Sequence, residues 1–210
     1  TNIAIFKNIL DYAKKNNIKF IEIFSSIDVY GNIKTKCLSE DYCSLSQGRY
    51  GYTKFLIEKM LKNSDFNFIN LRLPGILCDP TSKIKDRPFM NDILNKLKSN
   101  KTLKIHNSQN KFNNIISTDE IVKFILFSFK KKKIRGTFNF SSRNPITLNG
   151  IIKIAKKRLN SNSKVLKIRN SKVKSFYIST KKLEKVLKYK TLSTIKEIQK
   201  HIRKLNDQVC

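Results

Sequence analysis

Apolar positions along this chain recur with two alternating periods. Phe6, Ile9, Leu10 and Ala13 fall at helical spacing and predict a helix over residues 2–15. After the polar pair Asn16-Asn17 comes Phe20-Ile21-Glu22-Ile23-Phe24. So short and nearly continuous an apolar run suits a parallel strand covered on both faces. Phe55, Ile57, Met60 and Leu61 predict a helix from Tyr50 to Lys62, and residues 66–73 a second strand stopped by Pro74-Gly75. Further helices are predicted at 90–97, 120–129, 147–159, 180–187 and 193–205, with Thr118 or Asp119 capping the second of these. Short strands are predicted at 103–105, 113–116, 137–140 and 165–168, and loops at 31–49 and 78–87. Helix, brief turn and apolar strand in succession is half of a βαβ unit, so the fold class is α/β.

Composition narrows the class. With 40% hydrophobic residues the 210-residue chain can build a core. No apolar run reaches the roughly 18–20 residues that cross a bilayer, so no membrane is expected. The start, TNIAIFKNIL, has no signal-peptide pattern and drops straight into a helix, as if the chain began within a domain. Cys37, Cys43, Cys78 and Cys210 form no C-x-x-C pair, and His106 and His201 lie far apart. A metal site is not expected, and a reducing, cytoplasmic setting is the default.

The net charge of +29 raises the question of nucleic acid. The lysines are dispersed, however, and the aromatics keep core periodicity where stacking platforms would lie between basic residues. Nucleic acid is therefore not the expected partner. The cluster Lys130–Lys133 with Arg135 follows a predicted helix, where cations complement the negative end.

The candidate chemistry lies between Phe20 and Leu61. Ser25 and Ser26 end the first strand, and Tyr50 and Lys54 sit one turn apart on the following helix, hence on one face. Seven tyrosines among so many lysines give about one Tyr-x-x-x-Lys by chance, and three occur: Tyr30/Lys34, Tyr50/Lys54 and Tyr177/Lys181. Only Tyr50/Lys54 lies on a predicted helix behind a serine-ended strand. A phenol titrates near 10 and is a poor base at neutral pH. A nearby ammonium favours the phenolate, and a serine hydroxyl can hold the substrate oxygen while the proton moves. Tyr30 and Arg72 are expected to be structural.

Taken in order, SSIDVYG, YGYTK and LRLPG resemble the extended short-chain dehydrogenase/reductases, and more narrowly the NAD-dependent epimerase/dehydratase family that modifies nucleotide sugars. FNNIISTDEI and GTFNFSSRNPITLNGIIKIAKK are similar to that family's later segments, so the resemblance covers nearly the whole chain. It implies the C-terminal part of a Rossmann-type parallel sheet plus a smaller α+β substrate domain. Residues 1–76, with 113–142 returning, would form the second half of the NAD(P)-binding domain. Residues 77–112 and 143–210 would form the substrate-binding domain.

The resemblance makes Ser26, Tyr50 and Lys54 the catalytic residues. It places NAD or NADP against Ser25, Tyr50, Lys54, Pro74, Gly75 and Ile76, and puts Asp28, Asn113 and Asn114 on the substrate side. It implies an epimerase or 4-keto-reductase acting on a nucleotide sugar, with a homodimer as a further partner. A reductase of a non-sugar carbonyl and a non-catalytic dinucleotide sensor or scaffold are the alternatives.

Three departures matter. No G-x-x-G-x-x-G occurs, so this chain by itself is expected neither to bind NAD(P) usefully nor to turn over. Ile27 stands where the sugar dehydratases carry an acid, which disfavours elimination. Phe112 stands where many members of the family carry an Arg, and Cys78 and Gly75 replace its usual Gly and Asn, which leaves the sugar nucleotide unidentified.

Overall fold

A computed structural model describes residues 2–42, 47–80, 89–169 and 175–207. Helix α1 (Asn2–Lys15) leads into β1 (Phe20–Ser26), which is followed by a 3-10 turn (Ile27–Tyr30) and a short β2 (Cys37–Leu38). Next come α2 (Arg49–Lys62), β3 (Asn67–Leu73) and β4 (Gly75–Leu77). The middle of the chain forms α3 (Phe89–Lys98), β5 (Leu103–His106), β6 (Lys111–Phe112), β7 (Ile115–Ser117) and α4 (Thr118–Ser128). It ends with β8 (Arg135–Asn139), β9 (Ile146–Thr147), α5 (Leu148–Arg158), β10 (Val165–Ile168), β11 (Tyr177–Ile178), α6 (Lys181–Leu187) and α7 (Thr194–Asn206).

The central sheet has the order β1-β3-β8, with both pairings parallel. Successive side chains of a strand point to opposite faces, so each strand feeds two cores. Ile69, Leu71 and Phe138 pack under Phe124 of α4 and Leu183 and Leu187 of α6. On the other face Ile21 and Phe68 meet Phe6 and Ala13 of α1 and Ile57 and Leu61 of α2. Each buried Leu, Ile or Phe among these contributes about 1.5–3 kcal/mol. A separate core joins α3, β5, α5 and α7 through Leu94, Leu97, Ile151 and Ile202. Strand β7, paired in parallel with β4, ties the two together, since Ile115 enters the second core and its neighbour Ile116 the sheet core.

Three local expectations change. Ser117, not Thr118 or Asp119, caps α4, its Oγ accepting from Glu120 N at 3.2 Å while its own backbone stays extended. β3 ends at Leu73 before Pro74 as expected, but Gly75 then opens a new strand, β4, which pairs with β7 in a separate sheet. Leu183 and Leu187 belong to the sheet core, although residues 143–210 read as part of the substrate domain. Among the described residues, no helix is long and apolar enough to cross a membrane.

Candidate active site

Because β1, β3 and β8 are parallel, their carboxyl ends share one edge. Ser25 lies opposite Arg72, Ser26 opposite Leu73, and Arg72 opposite Asn139. Ligands of open parallel sheets bind outside this edge. The chain turns there at once. Ser26 Oγ accepts from Asp28 N at 3.2 Å and so caps the 3-10 turn, which leaves its own O–H to donate elsewhere. Ser25 is buried, and its Oγ has no hydrogen-bond partner among the described residues.

Tyr30 closes the turn from below. Its hydroxyl donates to Asn139 Oδ1 at 2.6 Å, and the Arg72 guanidinium lies 4.6 Å from its ring centroid. Burial pushes this phenol up to about 12, so Tyr30 is a packing residue. Arg72 pairs with Glu58 of α2 at 2.7 Å and donates to Glu40 O at 3.1 Å.

Helix α2 starts at Arg49, and Tyr50 stands half-exposed on its first turn at the same edge. Lys54 bridges helix and strand: its Nζ lies 5.9 Å from the Tyr50 ring centroid and donates to Phe24 O at 3.1 Å. Lys54 was expected to ease Tyr50 towards the phenolate. Instead burial, and then the charge of Asp28, push the Tyr50 phenol above its usual value. The ammonium faces the ring and is held by the Phe24 carbonyl. What brings Asp28 so close is Gly51, where an added Cβ would lie 2.1 Å from Asp28 O.

Gly75 and Ile76 run along β4 beside Asn114, and a Cβ on Gly75 would meet Asn114 O at 3.3 Å. The two asparagines differ. Asn113 is fully buried; its Nδ2 donates to Ser142 O and Ile178 O, and its Oδ1 accepts from Ile178 N, all at 2.8 Å. It ties three segments together. Asn114 Oδ1 is buried with no hydrogen-bond partner among the described residues. Asn114 and Phe112 border both a cavity of about 170 Å³, with His106 and Lys111, and one of about 70 Å³, with Gly75 and Ile76. A larger cleft of about 390 Å³ behind α2, bordered by Glu58, Lys59 and Arg135, contains none of the predicted site residues.

Among the described residues no group of histidine, cysteine and acidic side chains gathers as a metal would need. Cys37 is exposed, Cys78 Sγ donates to Ile76 O at 3.7 Å, and Cys43 and Cys210 lie outside the described residues. The sequence reading passed over Gly51, Asn139 and Gln47, whose Nε2 donates to Val29 O at 2.6 Å. Only Gly51 carried a legible signal, as a glycine inside a helix.

A parallel sheet clothed by helices, with its polar side chains gathered at the carboxyl edge, defines a Rossmann-type α/β protein. The model of the NAD dependent epimerase/dehydratase family matches residues 1–140, and the chain belongs to that family. Among solved structures it is similar to the UDP-N-acetylglucosamine 4-epimerase of Bacillus cereus, at 19% identity and a TM-score of 0.81 over 98% of this chain and 72% of that one. The UDP-N-acetylglucosamine 4-epimerase of Methanobrevibacter ruminantium M1, in complex with UDP-N-acetylmuramic acid, matches at 18% identity and 0.81, over 99% and 69%. The Bordetella bronchiseptica enzyme WbmG, in complex with NAD and UDP, matches at 16% identity and 0.77, over 97% and 65%. At these identities the likeness is one of fold. No curated protein matches the chain.

Proposed function

We propose that the protein serves as an NAD(P)-dependent nucleotide-sugar epimerase or 4-keto-reductase, with Ser26, Tyr50 and Lys54 as its proton-handling set. The observation that carries this is the position of Lys54, between the Tyr50 ring and the Phe24 carbonyl, at the sheet edge where Ser26 Oγ accepts from Asp28 N and can still donate. Family membership supports the chemistry, and the NAD, UDP and UDP-sugar held by the similar structures support the ligand class.

The residues fit the nicotinamide end of such a cofactor. Ser25 offers a buried hydroxyl with no other partner among the described residues, and Gly75 lets β4 lie close to Asn114, where a Cβ would meet Asn114 O at 3.3 Å. By the family resemblance, Tyr50, Lys54, Pro74 and Ile76 would complete that wall. NAD(P), when bound, supplies the hydride donor or acceptor. No glycine-rich turn occurs in the sequence, so this assignment concerns the nicotinamide end alone.

The chain's own residues then handle the proton. Ser26 donates its free hydrogen to the sugar oxygen and fixes it near Tyr50. The phenol, held neutral by burial and Asp28, protonates a keto oxygen directly. The phenolate that this leaves is stabilised by the Lys54 ammonium and, in the reverse direction, takes the carbinol proton. Asn114 Oδ1 is an unfilled acceptor for a substrate N–H or O–H, whereas Asn113 holds the wall behind it. Ile27 offers no proton to a leaving hydroxyl, so elimination is not part of the assignment.

The test is turnover of UDP- and dTDP-sugars with NAD or NADP by the natural full-length protein and by its Tyr50→Phe variant. The variant should lose about 10²–10⁴-fold in kcat with cofactor binding retained, because the ring and Lys54 stay in place. Turnover equal to wild type would remove Tyr50 from the mechanism.

A further inference from the structure

The two halves of the site lie on different elements, and helix α2 is poorly equipped to hold its own start. Its N-cap is Gly48, with no side-chain hydrogen bond, and its first turn has no acidic residue and carries the cation Arg49. Glycine is tolerated at an N-cap but supplies no side-chain acceptor for the first N–H groups, and a cation in the first turn opposes the helix dipole. Yet Tyr50 sits in that turn, and its relation to Ser26 and Asp28 depends on where the turn lies.

Two contacts fix it. At Gly51 the absence of a Cβ lets the helix backbone rest on Asp28 O. Just ahead of the helix, Gln47 Nε2 donates to Val29 O at 2.6 Å, across 18 positions of sequence. The carbonyl can only accept, so the amide nitrogen must face it. Val29 lies between Asp28 and the buried Tyr30, in a turn anchored below by the Tyr30–Asn139 hydrogen bond. Gln47 therefore attaches the loose start of α2 to the firm part of the turn.

We propose that Gln47 is a positioning residue for the proton-transfer site: its amide, through the Val29 carbonyl, holds Tyr50 against Asp28 and Ser26. The proposal rests on the assignment of Tyr50 as acid and base. It explains how an uncapped helix start can present a side chain reproducibly, and it gives Gln47 a role that touches neither substrate nor cofactor.

The test is the titration of Tyr50 in the 210-residue chain, followed by NMR of tyrosine labelled with ¹³C at Cζ and assigned with Tyr50→Phe. In Gln47→Met, which keeps length and loses the donor, the first turn of α2 should swing outward. Tyr50 then loses burial and the neighbouring Asp28 charge, and its titration moves down towards the ordinary phenol value near 10. Tyr30 should stay unionised over the same range, because Asn139 and Arg72 still enclose it. The double variant with Asp28→Asn should shift Tyr50 by less than the two single shifts added together, since Gln47 acts partly through Asp28.

A Tyr50 titration unchanged in Gln47→Met would overturn the proposal. So would a parallel shift of Tyr30, which would mark general loosening and not a local tie. A failure of Tyr50→Phe to lower turnover would sink the acid–base assignment while leaving this titration as it stands, so the two fail separately.

Discussion

An alanine at Gly51 would place its Cβ 2.1 Å from a backbone oxygen of the 3-10 turn, a contact that no rotamer change relieves. Either α2 or the turn must move. Gly51→Ala should therefore destabilise the protein by about 1–3 kcal/mol, in the range of other overpacking substitutions, despite alanine's better helix propensity. Urea unfolding measures this, and a stability gain would show that α2 has room to shift. At this scale the sequence was only partly legible. Ser26, Tyr50 and Lys54 were found because order and spacing single them out from a lysine-rich background. Asn113 and Asn114 are indistinguishable as letters, and only their surroundings separate a three-way tie from an unfilled acceptor. Tyr50 shows the same limit, since its titration is set by burial and Asp28 and not by the lysine one turn away.

Elements were more legible where they are long. The helices announce themselves by period, and the strands of the central sheet by apolar runs. The two-residue strands β2, β6, β9 and β11 have too few positions for any period to show, and they form because partners elsewhere in the chain present free backbone groups. Elements are also joined by interactions that periodicity does not reveal. Arg72 of β3 meets Glu58 of α2 inside the protein, with both side chains nearly shielded from water. Arg72→Met should cost about 3–5 kcal/mol, because it leaves the Glu58 carboxylate buried without its counter-charge. Arg72→Met with Glu58→Leu should recover much of that loss in thermal unfolding. No recovery would mean that the stacking of Arg72 on Tyr30, and not the ion pair, is what joins strand to helix.

Across the whole molecule, the sheet core and the second core adjoin at β7, α4 and α7, where Glu120 and Glu197 are both buried. Tyr189 donates to Glu120 at 2.8 Å. Burial first, and the Glu120 charge with it, push Glu197 up to about 7, while Ser117 and Lys200 pull the other way. A carboxyl raised on folding favours the fold while protonated, so its contribution is full below the unfolded value near 4.5 and is lost as pH rises through 7. A shift of that size corresponds to on the order of 3 kcal/mol. Glu197→Gln should therefore gain on wild type between pH 5 and pH 8 in urea unfolding, and a constant difference would show that the carboxyl does not titrate there. At the far end of α2, the Arg135 guanidinium grips the carbonyls of Lys62, Ser64 and Phe66, and so clamps the end opposite Tyr50. Helix α2 is thus a beam roughly 20 Å long at 1.5 Å per residue, held by Arg135 at one end and by the Gln47 and Gly51 contacts at the other. A tilt of about 3° at the clamp displaces its tip by about 1 Å, a distance that can cost a catalyst some 10²-fold in rate.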